Sequence, residues 1–180
     1  MVAVQATEEE VLPYLTDGLA AGHRCLALVD TSEPEQILER LDQVAVASSP
    51  GDQLAVLAAR EVYLTDCGFD LEAMLDFYAA ELEGIAQGSA YGCVRTFGEM
   101  TWALRDVPGV EDLLVYEARV NQVLARHPDT AISLCVYDVD RFDGEVIVGI
   151  LRTHPKVALS GTILDNPFFI PPQEFLRQRN

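Results

Sequence analysis

The chain has 180 residues, 49% hydrophobic and 23% charged, with a net charge of −17 from 29 acids against 12 bases. That surface repels polyanions and Lys156 is the only lysine, so direct nucleic-acid binding is not expected, and no Gly-Lys-Ser/Thr phosphate loop exists. No apolar run approaches the ~18 residues of a membrane helix, and the acidic start MVAVQATEEE is not a secretion signal. A cytoplasmic chain with no membrane segment, forming a single domain over residues 1–180, is expected.

In chain order, VAVQ reads as a first strand, followed by a helix opened by a capping box, Thr7 with Glu10. CLALVD at 25–30 is the second strand, and Ser32 with Glu35 around Pro34 repeats the helix-start signature. QLAVLAA at 53–59 is a third strand. Residues 70–87 then place Leu71, Met74, Leu75, Tyr78, Leu82 and Ile85 on one helical stripe behind an Asp70 cap. Strands follow at CVRTF 93–97, ISLCVYD 132–138 and KVALS 156–160. Helices at 109–126 and 142–153 lie between them, the last ending before Pro155. The tail DNPFFIPPQEFL carries Pro167, Pro171 and Pro172 around Phe168 and Phe169, and reads as an apolar strap without regular structure. Alternating strands and helices with few hairpin signals predict an α/β fold, a mostly parallel sheet flanked by helices in three layers. In such sheets ligands sit beyond the carboxyl ends of the strands, where Asp30, Glu99 and Asp138 fall.

Two carboxylates stand out. Glu99 ends a strand and leads straight into Met100, Thr101 and Trp102, the chain's only tryptophan. Glu117 interrupts the apolar stripe Val110, Leu113, Leu114, Val120 and Leu124, with Asn121 one turn on, while Arg119 lies on the opposite face. An inward carboxylate needs a partner, such as a backbone amide or Arg95, or it anchors a polar group in a small-molecule pocket. Trp102 and Phe97 read first as core, His154 as a surface or backbone-bonded residue, and Arg105 with Asp106 as a local polar contact. Asp106 is also placed to help the following helix begin. Cys25, Cys67, Cys93 and Cys135 form no CxxC, and the three histidines form no paired motif. Neither a metal nor a cofactor is therefore expected, and the cysteines beside apolar runs read as buried small hydrophobes. No GxSxG or GxGxxG motif marks a catalytic centre, so no enzyme activity is expected.

The stretch GEMTWALRDVPGVEDLLVYEARVN at 98–121 resembles the MEDS family, the sensory domain of methanogen and methylotroph regulators. LPYLTDGLAAGHRCLALVD, FDLEAML, CVYDVDRFDGEV, LRTHPKV and NPFFIPPQEFL agree in order, so the likeness runs through nearly the whole chain. The resemblance implies a RecA- and KaiC-like core without a Walker A loop that senses a small organic ligand, with hydrocarbon derivatives the proposed class. Its motif points to Glu99, Trp102, Glu117, Arg119, Asn121, Tyr137, Asp138 and His154; all but Arg119 form the expected ligand set. Relatives commonly open on a His-containing strand with an aromatic nearby. MVAVQAT has neither, which implies a different ligand or a degenerate site. With no module after residue 180, the output is expected to pass through a partner protein.

Three readings make different structural predictions. A sensor has a partly closed pocket with convergent polar groups. A scaffold with a vestigial site has internally satisfied carboxylates and no cavity. An enzyme brings Glu99 and Glu117 together beside an open cleft.

Overall fold

The computed structural model describes residues 1–4, 8–43, 52–86, 90–159 and 162–179. The elements run β1 (Val2–Val4), α1 (Glu8–Ala20), β2 (Arg24–Val29), α2 (Pro34–Gln43), β3 (Leu54–Ala58), α3 (Ala59–Tyr63), β4 (Leu64–Thr65) and β5 (Gly68–Phe69). Then come α4 (Leu71–Ala86), β6 (Val94–Glu99), α5 (Leu113–Leu124), β7 (Ala131–Tyr137), α6 (Gly144–Thr153), β8 (Lys156–Leu159), β9 (Thr162–Asp165) and α7 (Pro172–Arg179).

Strand β2 shows why the fold has three layers. Its alternate residues go to opposite faces. Cys25, Ala27 and Val29 join Val11, Leu15, Ile37 and Leu41 from α1 and α2. Leu26 and Leu28 join Met74, Tyr78, Tyr116 and Ile150 from α4, α5 and α6. Two apolar faces on one strand require helices on both sides of the sheet.

Among the described residues, seven strands form one sheet in the order β3-β2-β6-β7-β1-β8-β9. Every pairing is parallel except β8 with β9. The expected α/β architecture is therefore the one found. Neighbouring strands β2 and β6 send their chains in opposite directions, β2 outward to β3 and β6 inward to β7. That divergence opens a crevice at their carboxyl ends.

Local capping signals are visible at several helix starts. Asp70 caps α4 by accepting from the Ala73 amide at 3.0 Å, and Asp143 caps α6 through Glu145 at 2.8 Å. The Ser32–Glu35 box is shifted by one residue. Helix α2 begins at Pro34, and the Gln36 side chain accepts from the Glu33 amide at 3.1 Å. Thr7, Ser160 and the Ile85 side chain lie outside the described residues.

The tail departs from the strap expectation. Residues 172–179 form α7, because Pro172 sits at the first helical position, where its missing amide costs nothing. Phe175 of this helix is buried under Arg152, whose guanidinium lies 5.6 Å from the ring centre. Phe168, by contrast, is 65% exposed.

The short hairpin β4–β5 is clamped to the turn before α5. The Phe69 amide donates to Pro108 at 2.8 Å. Gly109 has φ +88°, and a Cβ there would strike the Phe69 carbonyl oxygen. Gly109→Ala is accordingly expected to cost about 1–3 kcal/mol. Gly84→Ala, in an exposed helical position facing open space, is expected to be neutral or to stabilise by up to about 1 kcal/mol. Paired urea-unfolding curves check both.

Candidate functional site

The carboxyl edge carries one polar assembly beside an aromatic cluster, and a second polar assembly is buried between β7, α5 and the end of α6. At the β2/β6 crevice, Glu99 turns back into the protein. Its Oε2 accepts from the amides of Asp30 at 2.5 Å and Thr31 at 2.9 Å, and its Oε1 accepts from the Thr31 hydroxyl at 2.5 Å. Asp30 is held in turn by the Thr101 hydroxyl at 2.8 Å and Arg105 at 3.0 Å, both on Oδ2. Its other oxygen, Oδ1, is buried and has no hydrogen-bond partner among the described residues. Arg105 thus pairs with Asp30 across the crevice rather than with neighbouring Asp106. Asp106 is exposed, and no side chain caps the start of α5 at Asp112.

Trp102 follows in a short 3-10 turn and is 0% exposed. It stacks on Tyr63 at 4.4 Å and meets Phe69 at 4.9 Å, while Tyr116 stands edge-on to both partners. Among the described residues its indole N–H finds no acceptor. A buried donor left unpaired costs roughly 1–3 kcal/mol, so this group demands an explanation.

Phe69 also lines a cleft of about 510 Å³, walled further by Thr65, Cys67, Glu72, Val115 and Arg119. Arg119 spans it to Glu72, with Nη2 at 3.1 Å.

The second assembly surrounds Glu117, which is 1% exposed, as the apolar stripe of α5 requires. The Tyr137 hydroxyl donates to its Oε1. His154 Nε2 lies 3.3 Å from Oε2. His154 is buried, not on the surface, and its Nδ1 faces the Ile150 carbonyl oxygen at 2.9 Å and the Thr153 hydroxyl at 3.0 Å. Asn121 donates to the main-chain oxygens of Glu117 and Thr153, each at 2.9 Å, and so ties α5 to the end of α6 below the histidine. Burial first, then Glu117, hold the Tyr137 hydroxyl well above its ordinary pKa. The Cys135 thiol beside them is raised by the same two causes in the same order. Arg95 takes no part, since it donates to the Tyr14 carbonyl at 3.0 Å.

The structure therefore brings Glu117, Asn121, Tyr137 and His154 together and leaves Glu99 and Trp102 at the neighbouring crevice. Glu99 and Glu117 hold different partners. Asp138 sits at the edge as expected, but its carboxylate accepts from the Asp140 amide at 3.0 Å and shapes a turn. Sequence reasoning did not reach Thr31, Thr101 or Cys135. Cys135 occupies the inner face of β7, and its closeness to Glu117 and His154 exists only in space. Their donor atoms lie within 4.8 Å of one another.

Cys25, Cys93 and Cys135 are buried, whereas Cys67 is exposed on the β4–β5 turn. Burial raises the Cys25 thiol to about 11. Native protein should therefore release one fast equivalent with a disulfide reagent at pH 8, a signal lost in Cys67→Ser, and four after denaturation.

The profile of the MEDS family, the MEthanogen/methylotroph, DcmR Sensory domain, matches residues 6–155. The chain belongs to this family. The matched span contains both polar assemblies and Trp102, and it stops short of β8, β9 and α7. A sensory role follows for this MEDS domain in general terms. No curated protein matches it. Among the described residues, no helix is long and apolar enough to cross a membrane.

Proposed function

We propose that this MEDS domain senses a small, mostly apolar organic compound, an oxygenated or halogenated hydrocarbon, and signals through a partner protein in the cytoplasm. The observation that carries the proposal is the indole N–H of Trp102, a buried donor without an acceptor inside an aromatic cluster at the carboxyl edge. A ligand bearing one acceptor atom on an apolar body satisfies that donor and packs on the rings. The approach we assign runs through the cleft that Phe69 lines, since the same ring packs against Trp102. Movement of Phe69 carries the β4–β5 hairpin with it and changes the outer surface that a partner reads. The proposal includes no catalytic step and no direct contact with nucleic acid or membrane.

One observation favours a scaffold instead. Glu99 and Glu117 are both bonded within the protein, as a vestigial site would have them.

A thermal-shift panel of small alcohols, aldehydes and halogenated or aromatic hydrocarbons, with magnesium ATP as a control, separates the two. A ligand at about 100 times its Kd adds roughly 2.7 kcal/mol, and roughly 5–10 °C to the midpoint of a chain this size. A shift with one organic class that is lost in Trp102→Phe supports the sensor. A flat response across the panel supports the scaffold.

A further inference from the structure

We infer that Glu117, Cys135 and His154 form a site for one divalent transition-metal ion of the zinc class. This inference goes beyond the sensory reading and does not depend on it. One oxygen, one sulfur and one nitrogen, from α5, β7 and the residue closing α6, lie within 4.8 Å of one another. All three residues are buried, Cys135 being 7% and His154 2% exposed. The 3.3 Å between Nε2 and Oε2 matches the spacing of two ligands on one ion with bonds of about 2.0–2.1 Å.

Two ligands already have the outer partners that metal sites use. The Ile150 carbonyl oxygen faces Nδ1 of His154, which fixes the ring so that Nε2 faces the cluster. The Tyr137 hydroxyl holds the other oxygen of Glu117 and leaves Oε2 toward the histidine.

The donor set selects the ion. A thiolate with an imidazole excludes magnesium and calcium, which take oxygen ligands, and suits zinc. Bound as thiolate and carboxylate, the site carries two negative charges. A dication cancels them, as a dry interior requires. The thiol proton is released to solvent as the metal binds.

Because the site is enclosed, metal should be added during refolding. Chelator-treated full chain, refolded with one equivalent of Co²⁺, should bind one ion and show a thiolate-to-cobalt charge-transfer band. Zn²⁺ should abolish the band by displacement. Cys135→Ser should remove it, and the triple variant Cys25→Ser, Cys67→Ser, Cys93→Ser should keep it, since Cys135 is then the single thiol. Refolded wild type without the band, a band that survives Cys135→Ser, or one missing from the triple variant overturns the assignment. The organic thermal-shift panel moves independently of all three outcomes.

Discussion

Trp102→Ala should lower the unfolding free energy by about 3–5 kcal/mol, the range for removing a fully buried large aromatic. The side chain is 0% exposed and holds together elements distant in sequence. It stacks on Tyr63 from α3 and meets Phe69 from β5, while Tyr116 of α5 closes the cluster. For a chain of this length that loss corresponds to a midpoint drop of roughly 6–20 °C. Urea unfolding followed by far-ultraviolet circular dichroism checks it, since the variant has no tryptophan emission. Trp102→Phe should retain most of the packing and lose the unpaired donor, so it should cost clearly less. A loss below about 1 kcal/mol for Trp102→Ala would contradict the tight cluster described here.

Glu117→Ala should be of similar severity, about 3–5 kcal/mol, the cost of removing one partner from a buried ionisable pair. The variant strands the Tyr137 hydroxyl and His154 Nε2 where no water reaches them, and it opens a cavity at the centre of α5. The mechanism is tested by a double-mutant cycle with Tyr137→Phe. Once Glu117 is absent, deleting the hydroxyl should cost little or restore stability, giving a coupling of roughly 0.5–3 kcal/mol. Strict additivity would mean that the hydrogen bond contributes nothing.

Much of this arrangement can be read from the sequence because it rests on local pattern. Strand β2 shows its double burial as an unbroken apolar run, and Glu117 announces itself as the one acid on an apolar stripe. Strand ends alone place Asp30, Glu99 and Asp138 at the carboxyl edge. The missing parts depend on contacts between distant segments. Arg105 chooses Asp30 over the adjacent Asp106 because the crevice brings β2 and β6 together. Cys135 reads as one more apolar strand residue until the folded chain sets it beside His154. Strands β4 and β5 have two residues each, too few to show a period, and β9 is wholly exposed, so burial leaves no alternation there. Helix α7 is not legible in the sequence because Pro172 reads equally as a breaker and as a first helical residue.

Trp102 is the chain's only tryptophan and stands at the centre of the proposed sensory site, so its emission reports on that site alone. The most direct measurement is an emission titration of native protein with graded small alcohols, aldehydes and halogenated hydrocarbons. The sensory account predicts, for one chemical class, a saturable change in intensity and maximum that tracks the thermal shift. Linear collisional quenching across every compound, with no saturation and no shift of the maximum, would contradict it.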